Sequence, residues 1–302
     1  MPHLRTDGRR SDRRAFRPSL EGDRLESRAL MTRLAGNGVS TQTAFGGLAS
    51  VVTDPQGEQF YVSVVNGGTV RASPAPGGRV SLVVDGSNSQ SMLEINQIQP
   101  QHSSKSGAHS FRGQLSQQTG ILKIASIAVT SGSIGAIEGY HDANLYGPIV
   151  VAGANPVNRI AFNAIEPGAS IGVGGDLNTL DVLSDARFSG STGLFVGRDL
   201  HWFETGGDLS FQNGANFNVI RNLGSVFQPA KGSGNAGQGL FVGGSLTVGP
   251  NDAFSIGRFN SFGVLVNGDL NGFSRITIDT LPLVTYIQEV SNNFGVRGAA
   301  RP

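Results

Sequence analysis

"GLFVGRDLHWF", residues 193–203, returns almost unchanged as "GLFVGGSLTV", residues 239–248. In each copy two apolar residues two places apart are followed by a glycine-bearing break and then a leucine. Alternation of this kind marks a strand with one buried side, and the break marks a corner where the chain turns and resumes. Working outward, the pattern is anchored by Leu177, Leu200, Leu223, Leu246 and Leu270, about 23 residues apart, with Ile134 and Val157 extending it upstream. Three further columns stay apolar when the units are laid on one another. Three residues past the anchors stand Ile137, Ile160, Leu180, Phe203, Val226, Gly249 and Phe273. Just before the anchors stand Val129, Val151, Val173, Val196, Val219, Val242 and Val266, and two places earlier Ile127, Ile149, Ile171, Leu194, Phe217, Leu240 and Val264.

A unit this short cannot enclose its own apolar side and must stack on a neighbour, which is the logic of a solenoid. The expected fold is all-β: a parallel β-helix (β-solenoid) of about seven coils of ~23 residues, with a β-rich N-terminal cap. The two copies of the opening stretch are then two coils apart. At a strand spacing of ~4.8 Å, Phe195 and Phe241 are expected about 10 Å from each other on the same side of the stack.

Composition agrees, with 44 glycines in 302 residues and only 15% charged side chains, a balance suited to short strands and tight corners. The formal charge of +1 conceals an asymmetry: residues 1–34 hold nine arginines against five acids, and the remainder is mildly acidic. With its basic residues scattered singly, the body lacks the basic face that phosphate neutralisation requires, so no nucleic-acid partner is expected. Cysteine is absent, which excludes disulfides and thiolate metal sites. No apolar run approaches the ~20 residues of a transmembrane helix, and no ordinary secretory signal is visible.

These features divide the chain into four parts. Residues 1–39 are expected to be a disordered Arg-rich leader with a short helix, since Asp23 and Glu26 have capping-box spacing and Gly36 is placed to stop it. Residues 40–118 read as a β-rich cap or small β module, 119–290 as the parallel β-helix, and 291–302 as a loose tail. A cap is expected because an exposed solenoid end is an open sheet edge; "DTLPLVTYIQEV", residues 279–290 with Pro282, is a candidate for the other end.

Within the leader, "RRAFRPSLEGDRLESRALMT" carries Leu25, Glu26, Arg28, Leu30 and Met31 in the order Leu-Glu-x-Arg-x-Leu-Leu, with Met31 in place of the second leucine. This stretch, about a tenth of the chain, resembles the LEPR-XLL-like signature at the start of many planctomycete-type exported and surface proteins. The resemblance implies export or surface sorting, hence a secreted or cell-surface location.

Asp176, Asp199, Asn222, Ser245 and Asp269 fall at one corner of successive units. Asp176 and Asp199, two carboxylates ~5 Å apart, are the candidates for a bound cation, against the plainer reading of solvated turn residues. "GSGNAG", residues 232–237, matches a dinucleotide fingerprint but is followed by a strand instead of a helix, so no cofactor is expected. The five histidines, at 3, 102, 109, 141 and 201, have no metal-ligand spacing. Phe195, Trp202, Phe241 and Leu265 point outward in this register, either to contact a glycan or partner protein or to lie beneath a neighbouring segment. Two functions stay open. One is a non-enzymatic exported or cell-surface β-solenoid with a structural or adhesive role, whose partners are a cell-surface polysaccharide or another surface protein. The other is a polysaccharide-active lyase or glycoside hydrolase on the same scaffold, with Asp181, Asp185, Glu204 and Asp208 as candidate acids.

Overall fold

The computed structural model describes residues 38–98, 120–190, 192–224, 239–249, 252, 254–259, 264–266, 268–271, 276–280 and 287–289. The expected leader helix, the GSGNAG stretch, Val226, Phe273, Pro282 and the tail lie outside these residues. Among the described residues there is no α-helix, and the strands join in one continuous sheet system of parallel, stacked coils: a β-solenoid.

The chain enters through antiparallel strands. β1 (Ser40–Ala44), β2 (Ala49–Thr53) and β3 (Gln59–Val65) form a meander, and β4 (Thr69–Ala75) forms a hairpin with β5 (Arg79–Asp85). β6 (Met92–Gln97) pairs antiparallel with β3. Alternation in "RVSLVVD" and "QFYVSVV" buries Val80, Leu82, Val84, Phe60, Val62 and Val64 on one side. β5 and β6 then serve as the first layers of the stack. β7 (Leu122–Val129) lies parallel to β5, and β8 (Ala136–Leu145) lies parallel to β6.

Beyond them each coil has three faces. β9 (Pro148–Val151) and the long β10 (Val157–Val173) carry the chain around with little interruption, β10 alone contributing to all three faces. Four turns of three separate strands follow: β11 (Leu177–Val182), β12 (Ala186–Ser189) and β13 (Leu194–Val196); β14 (Leu200–Thr205), β15 (Leu209–Gln212) and β16 (Phe217–Leu223); β17 (Leu240–Val242), β18 (Leu246–Val248) and β19 (Phe254–Phe259); β20 (Val264–Val266), β21 (Leu270–Asn271) and β22 (Ile276–Thr280). β23 (Ile287–Glu289) adds a last layer to the first face. The regular part is therefore about four turns, fewer than the seven units counted in the sequence.

The columns show where the sequence register holds. Val157, Leu177, Leu200 and Leu223 are successive partners. On the third face Ile127, Ile149, Ile171, Leu194 and Phe217 are stacked, as are Val129, Val151, Val173, Val196 and Val219. Between Leu223 and Leu246 the expected register slips by one face, and beyond the slip the expected pairs Leu240 with Val264, Val242 with Val266 and Leu246 with Leu270 hold. Leu246 pairs with Leu209 and Leu270 on the second face, while Leu240 and Val242 lie on the first face beside Phe203 and Thr205. The opening twins are thus on different faces: Phe195 partners Gly172 and Asn218, whereas Phe241 partners Glu204 and Leu265.

The reason is that the same module, two inward apolar residues, a glycine corner and a leucine, leads from the third face to the first at residues 194–200 and from the first to the second at residues 240–246, so self-similarity cannot tell one face from the next. One coil is also longer, with equivalent corner positions Asp185 and Asp208 separated by 23 residues but Asp208 and Ser245 by 37. Extra length plus a shift of one face happens to reproduce the 23-residue spacing between Leu223 and Leu246.

The interior columns are apolar apart from Thr205, which lies between Val182 and Val242 and donates to the Ser184 carbonyl, and Phe188 and Phe211 stack at 4.9 Å between ring centroids with Phe217 edge-on to Phe211 at 5.7 Å. Corners demand glycine because layers approach closely: a Cβ at Gly197 would run into the Gly174 carbonyl, and one at Gly243 into that of Gly206. Phe203, fully buried at the centre of the first face, is expected to cost about 3–5 kcal/mol on truncation to alanine. Truncation of the outward Phe195 is expected to cost less than about 0.5 kcal/mol; urea unfolding of the two variants measures the contrast.

Candidate functional site

Stacking equivalent residues in parallel layers brings like side chains together, so outward and corner carboxylates need an explicit solution. At the corners the solution is a ladder. The Asp199 amide donates to Asp176 Oδ1 at 3.1 Å, and Asn222 donates to Asp199 Oδ1 through its amide at 3.1 Å and through Nδ2 at 2.7 Å. A second ladder climbs the next corner: the Asp208 amide donates to Asp185 Oδ1 at 2.9 Å, that of Ser245 to Asp208 Oδ1 at 2.8 Å, and that of Asp269 to Ser245 Oγ at 3.2 Å. The five residues assigned to one corner from the sequence therefore belong to two, with Ser245 and Asp269 continuing the line of Asp185 and Asp208. Interposed N–H groups relieve the repulsion that motivated a cation at Asp176 and Asp199, and Arg198 Nε approaches Asp176 at 3.5 Å. Among the described residues no group of three or more His, Cys, Asp or Glu is placed to hold a metal ion.

The first face carries the densest outward chemistry. Residues that directly follow the buried column Ile137, Ile160, Leu180, Phe203 line up as Glu138, Ala161, Asp181 and Glu204, preceded by Glu94 and continued by Phe241 and Leu265. Arg159 bridges across the Ala161 layer, where the methyl is small enough to leave room. Its Nη1 is 2.9 Å from Glu138 Oε2 and its Nη2 is 2.6 Å from Asp181 Oδ2. The same guanidinium lies 5.4 Å from the Tyr140 ring centroid. One layer on, Trp202 Nε1 donates to Glu204 Oε2 at 3.1 Å, which fixes the indole along the face.

Burial pushes the Glu138 carboxyl above its ordinary value, against the opposing pull of Arg159. Burial likewise raises the Tyr140 phenol, reinforced by the charges of Asp181 and Glu204. Of the residues singled out in the sequence, Trp202, Phe241, Asp181 and Glu204 come together here, and Leu265 occupies the next layer of the same strand position. Asp185 and Asp208 do not; they belong to the corner ladder. Phe195 stands apart on the third face, 40% exposed. Glu138, Tyr140 and Arg159 were not singled out, although strand alternation offered a signal for two of them: the residues flanking each member of the buried column point outward, which covers Glu138 after Ile137 and Arg159 before Ile160.

A cavity of about 350 Å³ lies elsewhere, between the cap turns, lined by Asp54, Gln56, Gly78, Ile121 and Lys123 among others. Its carboxylate is occupied by its own turn, Asp54 Oδ1 accepting from the amides of Gln56 at 2.9 Å and Glu58 at 2.8 Å. No protein-family model, curated protein or solved structure matches the chain.

A carboxyl whose pKa is higher folded than unfolded binds its proton more tightly in the folded chain, so its stabilising contribution is full below the ordinary value of 4.5 and falls as pH rises through the folded value. Wild type should therefore lose stability relative to Glu138→Gln between pH 4 and pH 7. Arg159→Ala should steepen that loss and cost about 1 kcal/mol at pH 7, after screening at this partly exposed site; urea midpoints across the pH series report both. Asp208→Ala, which leaves the Ser245 amide without its acceptor, should cost about 1 kcal/mol, with Asp208→Asn closer to wild type. Calcium and a chelator should leave the wild-type thermal midpoint unchanged.

Proposed function

We propose that this chain is a non-enzymatic, exported or cell-surface β-solenoid with a structural or adhesive role, and that its first face is the contact surface for a cell-surface polysaccharide. The observation that carries the reading is the run Asp181, Glu204, Phe241 in successive layers, with Trp202 held alongside by its bond to Glu204. Carboxylates are strong acceptors for sugar hydroxyls, and an indole fixed along a flat sheet offers an apolar plane to a sugar ring. Layers spaced ~4.8 Å apart repeat such contacts along a rod, which suits a repetitive polymer. The leader's resemblance to exported and surface proteins supports the location.

A lyase or glycoside hydrolase on the same face has one observation in its favour, the raised pKa of Glu138 near Asp181. Both carboxylates, however, are bridged by the single Arg159 guanidinium, whereas glycosidic chemistry uses one acid free to donate and one carboxylate free to attack or to activate water.

Retention of the full chain on insoluble cell-wall polysaccharide tests the adhesive reading. Trp202→Ala is expected to weaken retention about tenfold or more, as loss of a tryptophan anchor does, while Phe195→Ala leaves it intact. Equal retention of wild type and Trp202→Ala, or release of new reducing ends by wild type, overturns it.

A further inference from the structure

Two Asn-Gly pairs among the described residues share a backbone conformation. Asn66–Gly67 forms the turn between β3 and β4, and Asn213–Gly214 the corner between β15 and β16. Both asparagines are exposed and left-handed, with φ of 61° and 57°. A glycine after asparagine is chemically exposed, because no side chain shields its nitrogen from the asparagine carboxamide carbon.

The two pairs differ in what holds that nitrogen. Gly214 N–H donates to Asp252 Oδ1 at 2.6 Å, and Asp252 is 2% exposed. Gly67 N–H makes no hydrogen bond among the described residues. We propose that Asn66 is a site of spontaneous conversion to aspartate and isoaspartate, and that Asp252 protects Asn213 from the same reaction.

The Gly67 nitrogen, giving up its proton to solvent base, attacks Asn66 Cγ. The N–Cγ bond forms, the Cγ–Nδ2 bond breaks, and the amide nitrogen leaves as ammonia with a proton from water. Water then opens the cyclic imide at either carbonyl: breaking the Cγ–N bond yields aspartate, and breaking the original backbone C–N bond yields isoaspartate. The net change is one water consumed and one ammonia released, with no oxidant or reductant. At Gly214 the same attack first requires breaking a hydrogen bond to a carboxylate, and the neighbouring negative charge opposes loss of the amide proton.

The product changes a structural tie. The Asn66 carbonyl accepts from Asn88 Nδ2 and Ser91 Oγ at 3.3 Å each, while the Ser91 carbonyl accepts from the amides of Gly135 at 2.8 Å and Ala136 at 3.1 Å. Isoaspartate inserts a methylene into the backbone at the head of this chain of contacts, which links the cap turns to β8.

Ageing the full-length protein in mildly alkaline buffer, followed by peptide mapping with fragmentation that separates isoaspartate from aspartate, tests the proposal. Conversion at Asn66 should outpace that at Asn213 by about tenfold or more, the factor a hydrogen bond to a charged acceptor supplies. Asp252→Ala should close the gap, and Asn66→Gln should abolish the first product. Ageing wild type in denaturant should bring the two sites to similar rates, a readout independent of whether Asp252→Ala folds. Native conversion at Asn213 as fast as at Asn66, or a gap that persists in denaturant, overturns the proposal.

Discussion

In-register parallel stacking governs this molecule: each residue lies directly against its equivalent in the next coil, as Leu177 does on Leu200 and Leu200 on Leu223. For apolar side chains that placement is favourable, since identical branched residues fill identical shelves and exclude water from one end of the column to the other. For charged side chains it is unfavourable, and the chain answers in two ways. At corners a backbone amide is inserted between successive carboxylates. On the open first face a single arginine reaches over an alanine to neutralise acids on both sides.

Much of the fold was legible because the stacking constraint writes itself into the sequence. The alternation around Leu194 and Val196, the valine column as far as Val219 and the anchors as far as Leu223 all correspond to observed partners. Leu246 and Phe241 were misplaced for a physical reason. The same module leads from the third face to the first and from the first to the second, so a shift by one face leaves the pattern intact, and a longer coil with 37 residues between Asp208 and Ser245 conceals it.

The outer chemistry was legible only where it was aromatic. Trp202 and Phe241 stand out in a chain with 7% aromatic residues, whereas Glu138 and Arg159 are single charges in coils whose strands run together. Arg159 and Asp181 are 22 residues apart and Arg159 and Glu138 are 21, so a strict 23-residue frame misses their alignment. The third face offers the contrast: its outward line of Ala128, Val150, Gly172, Phe195 and Asn218 carries one aromatic ring and no acid.

The corner ladders have a polarity. In every rung the earlier coil supplies the side-chain oxygen and the later coil the amide hydrogen, from Asp176 to Asn222 and from Asp185 to Asp269. A newly added coil therefore meets these side-chain acceptors already in place, while the backbone bonds at the same corners run the other way, the amides of Leu177 and Ala186 donating to the carbonyls of Asp199 and Asp208 in the later coil. Each corner is thus tied in both directions: a side chain of the finished turn receives the incoming amide, and the incoming carbonyl then satisfies an amide the finished turn had left open.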